Sequence, residues 1–583
     1  MDPANRNTAL ASAFAEELVR CGLRHAVIAP GSRSTPLALA LWRQEDVATR
    51  VIVDERAAAF FALGAAQADG APVAIVCTSG TAAANFHPAV CEADESAVPL
   101  LVLTSDRPPE LRAIGAGQTI DQLKLYGEAV RWFSEVGSHD ADDSGLLHLR
   151  STACRAFATA AGQPRPGPVH LNFAWRDPLG DQPVDGAVTA TSELALAGRD
   201  GGRPLTASTP LASTPDEFVL DELSRHVNEA QRPLIVAGRQ RDPGLASPLS
   251  RLAAAGSVPI LAEPTSQLRF GPHDRSRVVA AYDLIARRAP AELAPDLVLR
   301  FGEMPTSKTT REWLAGLEKV PQLVVDAEAG WNEPTRRAAA MVRADPAELA
   351  AGLAERVEAG DSEWAQRWQR ADQAALEAVA MALDAGGLSE PAAHLALASE
   401  YRDGDLVYTA SSMPIRDQEA FASGGEGRVL FLANRGANGI DGLVSSGIGA
   451  AVAAGRPAWV LTGDLCLFHD LTALALLRDA ETPVRVIVFN NDGGGIFEFL
   501  PQAGQLDRDE FEALFGTATG LDCERAAGLW GIPYRLAEAA GDVAGERTEL
   551  VEVRTDRRAG VELRRGLTRA ATEAVAGALS SGG

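Results

Sequence analysis

Across the first 180 residues, short runs of apolar residues recur, each ending in a loop of small and polar residues that gives way to an Ala/Leu stretch with helical spacing. Ala26-Val27-Ile28-Ala29 leads into Pro30-Gly31-Ser32-Arg33-Ser34-Thr35-Pro36 and a helix from Leu37 to Trp42. Val51-Ile52-Val53 leads into Asp54-Glu55 and a helix through Ala68. Val73-Ala74-Ile75-Val76 precedes Thr78-Ser79-Gly80-Thr81, and Leu100-Leu101-Val102-Leu103 precedes Thr104-Ser105-Asp106-Arg107-Pro108. Strands apolar at every position are buried on both faces, and their alternation with helices predicts a doubly wound parallel sheet. In such sheets ligands gather at the carboxyl ends of the strands.

Residues 178 to 216 are rich in Gly, Pro, Ser, Thr and Asp, with Gly201-Gly202-Arg203-Pro204 and Ser208-Thr209-Pro210 as breakers, and read as a linker. The strand pattern resumes at Leu234-Ile235-Val236-Ala237, Val258-Pro259-Ile260-Leu261, Leu297-Val298-Leu299 and Leu323-Val324-Val325. A charged helical stretch runs from Pro346 to Ala385. Further strands are expected at Leu406-Val407-Tyr408, Ala458-Trp459-Val460-Leu461 and Val484-Arg485-Val486-Ile487-Val488. The expectation is an α/β chain of three doubly wound parallel-sheet domains, at 1–185, 210–365 and 385–583.

The length of 583 residues suits that number of domains. With 54 Lys and Arg against 78 Asp and Glu, the formal charge of −24 argues against a nucleic-acid partner, since phosphate neutralisation supplies most of such affinity. Met1-Asp2-Pro3-Ala4-Asn5-Arg6 has no basic segment followed by an apolar one, and no apolar run is long enough to span a bilayer. Six scattered cysteines without a Cys-x-x-Cys disfavour a zinc knuckle or disulfide framework. A cytoplasmic protein is expected.

The most informative stretch runs from Thr462-Gly463-Asp464-Leu465, after one strand, to Asn490-Asn491-Asp492-Gly493-Gly494-Gly495, after the next. The helical pattern of His469 to Ala480 between them makes a βαβ crossover that brings both strand ends to one rim. An Asp carboxylate, an Asn amide oxygen and a carbonyl in a Gly turn are hard donors that leave room for water and phosphate oxygens, as Mg²⁺ prefers. Helix N–H groups beside Gly463 can hold anionic oxygens. Taken singly, Gly-Asp and Asn-Asn-Asp-Gly are also ordinary turns.

As a pair, these motifs resemble the thiamine-diphosphate enzymes. The resemblance implies Asp464 and Asn491 as side-chain ligands of Mg²⁺ (or Mn²⁺) and Gly493 as a carbonyl ligand. Leu465 stands where Gly is usual. Such enzymes need a carboxyl group against the cofactor's pyrimidine. Glu55 fits, with Ala57, Ala58, Ala59, Phe60 and Phe61 as an apolar wall able to raise its pKa, although Asp54-Glu55 also reads as a solvated helix start. Ile440 would prop the bent cofactor. The type implies a homodimer or homotetramer with active sites at subunit interfaces.

More closely, the chain resembles the family of 2-succinyl-5-enolpyruvyl-6-hydroxy-3-cyclohexene-1-carboxylate synthases of menaquinone biosynthesis. The likeness rests on Pro30 to Ser34, Asp54-Glu55-Arg56, Thr78 to Ala82, Ser105 to Pro108, Gly117-Gln118-Thr119, Asn434-Arg435-Gly436, Gly439 to Gly442, Gly463 to Leu465 and Asn490 to Phe497. Ala262-Glu263-Pro264 and Pro305-Thr306-Ser307-Lys308 extend it through the middle of the chain. The family decarboxylates 2-oxoglutarate and adds the succinyl unit to isochorismate. Two dianionic substrates call for fixed cations, and Arg33, Arg107, Arg416 and Arg435 match the family's substrate positions. The resemblance adds Ser79 and Gly80 to the cofactor loop, and Gln118, Lys308 and Ser412 to the substrate site. Ile496, Phe497 and Leu500 would form an apolar wall over the thiazolium, a spacing that equally suits core residues of a helix. Thr309 stands where a second basic residue is common. His87 and His469 read as packing or capping residues. The alternatives are another thiamine-diphosphate 2-oxoacid decarboxylase or carboligase, a non-catalytic protein retaining the fold, or a nicotinamide-binding protein. The last lacks a Gly-x-Gly-x-x-Gly after the first strand.

Overall fold

The structure, a computed structural model, describes residues 4–580 apart from 163, 164, 210–212, 289 and 329. Met1-Asp2-Pro3 and Pro210 of the sequence analysis lie outside the described residues. The chain is α/β and contains three six-stranded sheets with every pairing parallel.

Two compact units divide the chain. The first comprises Met1–Leu211 with Asn434–Gly455 and Thr472–Glu481. Its sheet runs in the order Ala48–Val51, His25–Ile28, Val73–Cys77, Leu100–Asp106, Val169–Ala174 and Trp132–Glu135. Ala26, Val27, Val73 to Cys77 and Leu100 to Leu103 are buried, as unbroken apolar runs require. The chain moves from the first strand to one side and returns on the other, so a switch point lies between the ends of His25–Ile28 and Val73–Cys77.

The second unit carries two sheets. One has the order Ala338–Val342, Gln322–Val325, Leu297–Phe301, Pro233–Ala237, Ile260–Ala262 and Val278–Val279. Its switch point is filled by backbone: a methyl group on Gly238 would collide with the Glu303 carbonyl, and one on Gly302 with Gln240. The other has the order Leu430–Leu432, Leu406–Thr409, Ala458–Gly463, Val484–Asn490, Glu549–Arg554 and Tyr534–Leu536. Numbered within each sheet, this order is the same as that of the first unit's sheet.

Several expectations shift. The second strand is Ala48–Val51 rather than 51–53, because the edge strand pairs only as far as its neighbour extends, with Val51 opposite Ile28. Val51 and Val53 are exposed. Val258-Pro259 precedes the strand Ile260–Ala262, since Pro259 has no N–H for the ladder. The crossover helix starts at Asp464 and ends at His469, continuing as a 3₁₀ turn from Leu471 to Asp479, so His469 closes a helix rather than opening one.

The segment read as a linker is strapped to the first unit. It forms a helix, Glu193–Ala197, whose Ala195 is buried. The buried Arg150 donates to the carbonyls of Ala195 (3.0 Å) and Leu196 (2.8 Å), and Arg20 to that of Ala197 (2.6 Å). Composition reports a lack of long regular elements, whereas docking here depends on arginines elsewhere in the chain.

Candidate active site

In the first unit the carboxyl rim gathers five expected residues. Arg33 lies in the loop after His25–Ile28 and donates to the Trp175 carbonyl at 2.9 Å, with Asp177 at 3.7 Å. Burial, and next the Arg107 charge, hold its pKa below the usual guanidinium value. The Arg107 guanidinium donates to the Ser79 hydroxyl, which donates to the Gln118 carbonyl at 3.0 Å. The Gln118 amide returns a bond to the Ser79 carbonyl, also 3.0 Å. Gly80 has φ +90 and faces the Gln118 side chain, so the loop closes where a larger residue would be strained.

Beneath this rim lies a polar scaffold that motif reading missed. Gln122, buried, accepts from Gly80 N (2.9 Å) and donates to Ser105 O (3.2 Å) and Asn172 Oδ1 (2.9 Å). Asn172 donates to Asp106 and Glu135, and Arg112 pairs with the same two carboxylates. Asp106 accepts from Arg107 N at 2.7 Å, which aims the Arg107 turn. His170, hydrogen-bonded to Thr104 at 2.7 Å, has its pKa pushed down to about 3 by burial. The available signal was the run of polar residues at the end of an otherwise apolar strand, Thr104-Ser105-Asp106.

Glu55 is the first residue of the helix Glu55–Asp69, half-buried and close enough to the buried Cys77 to raise the thiol's pKa further after burial. Asp54 caps that helix, accepting from Arg56 N and Ala57 N. Phe60 and Phe61, expected as part of a wall, instead pack against the helix Leu443–Ala454. A methyl on Gly442 would meet the Phe60 ring, and one on Gly449 the Phe61 carbonyl. The loop bearing Arg435 and Ile440, both half-buried, is gripped by Glu92, which accepts from Gly436 N (2.8 Å) and Ala437 N (2.7 Å).

In the second unit, Ala458–Gly463 and Val484–Asn490 are adjacent and parallel, with Gly463 opposite Phe489, so Asp464 and Asn491 emerge side by side. Gly463 ends its strand with open space at its α-carbon, and Leu465 is half-buried one residue into the helix. Burial pushes the Asp464 carboxyl up to about 7, against the Gly493 N–H that favours its ionised form. Gly493 has φ +136, and a methyl there would strike the Gly516 carbonyl. The donor set passes a test of fit for a hard cation. Asp464 Oδ2 and Asn491 Oδ1 are both buried with no hydrogen-bond partner, an arrangement proteins otherwise avoid.

Asn491 Nδ2 donates to Glu390 Oε1 at 2.9 Å. Burial would raise the Glu390 pKa, but Arg564 and bonds from Asn491 and Thr555 outweigh it and hold Glu390 below the usual carboxylate range. Ile496 and Phe497 lie half-buried in the 3₁₀ turn Gly495–Phe499, with Leu500 exposed beyond it, so they are not core residues of an α-helix. Ser412 has φ +72, an uncommon conformation for a residue with a side chain, and its carbonyl accepts from Arg416. Burial lowers the Arg416 pKa. Lys308 opens the helix Lys308–Gly316, exposed, with Glu312 at 3.5 Å. Its N-cap Ser307 is held by Asp283 (2.5 Å) and Glu419 (3.1 Å). Of the two histidines set aside, His87 packs edge-on against Tyr126, as a packing residue should.

Models of the N-terminal and C-terminal TPP binding domains of thiamine pyrophosphate enzymes match residues 8–125 and 430–545. The protein is therefore an α/β enzyme dependent on thiamine diphosphate. A 2-succinyl-5-enolpyruvyl-6-hydroxy-3-cyclohexene-1-carboxylate synthase from Myxococcus xanthus (strain DK1622) is 44% identical, the match covering 97% of each chain. Synthases of the same name from Geobacillus kaustophilus (strain HTA426) and Halobacterium salinarum (strain ATCC 29341 / DSM 671 / R1) are 42% and 40% identical. Those matches each cover 95% of this chain and 96% and 97% of the relative. The chain belongs to this synthase family.

Proposed function

We propose that the protein decarboxylates 2-oxoglutarate and adds the succinyl unit to isochorismate, giving 2-succinyl-5-enolpyruvyl-6-hydroxy-3-cyclohexene-1-carboxylate and CO₂ in menaquinone biosynthesis. The observation that carries this reading is the presence in one chain of two rims of one strand order. One is rich in guanidinium and hydroxyl groups, and the other holds buried, unpaired oxygen donors of the kind a hard cation takes.

Asp464, Asn491 and the Gly493 carbonyl would hold Mg²⁺ or Mn²⁺ with the cofactor's diphosphate, beside Gly463 and Leu465. Ser79 and Gly80 would border the opposite end, where Glu55 would present its carboxyl group to the pyrimidine and Ile440 would prop the cofactor. When bound, thiamine diphosphate supplies the electron sink for decarboxylation. The chain's own groups orient and neutralise. Arg33, Arg107, Arg416, Arg435 and Lys308 receive the substrate carboxylates, and Gln118 and Ser412 offer hydrogen bonds. Ile496, Phe497 and Leu500 keep water from the reacting carbon. We assign residues 1–185 to the pyrimidine end, 210–365 to a central domain and 385–583 to the diphosphate end. The assembly is a homodimer or homotetramer with active sites at subunit interfaces, acting in the cytoplasm. No helix among the described residues is long and apolar enough to cross a membrane.

The test is CO₂ release from 2-oxoglutarate and from pyruvate, with and without isochorismate. Release from 2-oxoglutarate, stimulated by isochorismate, is expected. A preference for pyruvate, indifferent to isochorismate, would assign the protein to another 2-oxoacid reaction.

A further inference from the structure

An Asn side chain can offer a metal ion its oxygen only if its nitrogen is held elsewhere. Here that nitrogen faces Glu390 at 2.9 Å, and a carboxylate only accepts, so Asn491 Oδ1 is turned the other way. Glu390 is 5% exposed and has little freedom to rotate. Its Oε1 also accepts from Thr555 Oγ1 at 2.9 Å, and its Oε2 receives Nη2 of Arg564.

Arg564, on the helix Arg557–Ser580, uses its fork twice. Besides Glu390 it pairs with Asp417, Nε to Oδ1 at 2.8 Å and Nη2 to Oδ2, while Nη1 donates to Gly560 O at 3.1 Å. Asp417 is itself buried and follows Arg416 on the helix Met413–Phe421, which Ser412 begins. The guanidinium also sits 5.9 Å from the Phe499 ring, in the turn that carries Ile496 and Phe497.

Resting on the proposed cation site, we propose that Glu390 and Arg564 are positioning residues: Glu390 orients the Asn491 amide toward the divalent cation, and Arg564 ties that amide to the substrate helix bearing Arg416. One guanidinium, bonded to two buried carboxylates, thus sets the geometry of both metal and substrate groups. Removing outer-shell partners of this kind weakens metal binding about 10–100-fold.

The experiment titrates Mg²⁺ into the purified protein with saturating thiamine diphosphate by calorimetry, then measures kcat and KM for 2-oxoglutarate at saturating Mg²⁺. Glu390→Gln must place an amide N–H₂ against either Arg564 or Asn491. It is expected to weaken Mg²⁺ binding roughly 10–100-fold and to leave KM for 2-oxoglutarate near wild type once Mg²⁺ saturates. Arg564→Lys keeps the charge but loses the fork, and should shift both Mg²⁺ affinity and KM. Thr555→Val, which removes one bond to Glu390, should weaken Mg²⁺ binding only a few-fold and keeps the test alive if Arg564→Lys does not fold. Unchanged Mg²⁺ affinity in folded Glu390→Gln would overturn the proposal, as would an Arg564→Lys variant altered only in melting temperature. A wild-type protein without Mg²⁺-dependent cofactor binding would overturn the cation-site reading beneath it, a failure visible before any variant is made.

Discussion

The sheet of the first unit and the last sheet of the second share one strand order, yet their rims have opposite character. Arg107 and Asn491 both directly follow the fourth strand of their sheets, Leu100–Asp106 and Val484–Asn490. Arg107 is hydrogen-bonded to Ser79 and seated on Asp106, whereas the Asn491 oxygen is unpaired. After the third strands stand Ser79-Gly80 in one case and Asp464 in the other. Topology fixes where a rim residue emerges, and the identity of a few residues decides whether the rim presents guanidinium donors or unpaired oxygen acceptors. The middle sheet, with a different order, has its switch point closed by Gly238 and Gly302 and adds no third rim of this kind.

The sharpest way to break the contrast is to disable one rim at a time. Asp464→Ala should abolish both Mg²⁺-dependent thiamine-diphosphate binding and turnover. Glu55→Gln should retain cofactor binding by calorimetry while lowering kcat by roughly 10³, within the range for loss of a proton-transfer group. If both variants lost only binding, the division of labour between the rims would be wrong. Next in size, Arg107→Met removes the proposed charged partner of substrate, worth about 1.5–3 kcal/mol, so kcat/KM for 2-oxoglutarate should fall on the order of 10- to 100-fold. Thiamine-diphosphate affinity should stay close to wild type.

A smaller effect is expected one layer down. Gln122→Leu removes the bonds to Gly80 N and Ser105 O, while the Asn172 oxygen keeps Thr104, and kcat/KM should fall about tenfold from a cost of 1–3 kcal/mol. The change should spare Mg²⁺ affinity if the proposed cation site is the other rim's alone. The mildest test is pH. His170 and His394, both buried, have pKa values pushed down to about 3 by burial, so each favours the folded state in its neutral form. Their contribution is present above the unfolded value near 6.5 and is lost as pH falls toward 3. Melting temperature should decline over that window, and His170→Gln should flatten the decline relative to its own value at pH 7.

The apolar runs made the parallel sheets legible, and the pairing of Gly463-Asp464 with Asn490-Asn491 made one rim legible, because both depend on neighbours in sequence. What escaped depends on distant partners. The strands Trp132–Glu135 and Val169–Ala174 fall outside the repeating pattern of the first 180 residues, and the second carries His170 and Asn172 inside an apolar run. Glu92, Gln122, Glu390 and Arg564 carry no motif. Their roles arise from hydrogen bonds to residues between 17 and 345 positions away. The docking of Glu193–Ala197 escaped for the same reason, since it depends on Arg150 and Arg20.

The contact between the helices Glu55–Asp69 and Leu443–Ala454 also constrains how the protein is made. A methyl on Gly64 would run into the backbone at Ser446, so the two helices touch main chain to main chain inside one compact unit. During synthesis at about 5–20 residues per second, the earlier helix leaves the ribosome tens of seconds before its mate is translated. For that interval its apolar flank has to be shielded by transient structure or by a chaperone. A truncation near residue 200 would make that exposure permanent and yield an aggregating fragment rather than an autonomous module.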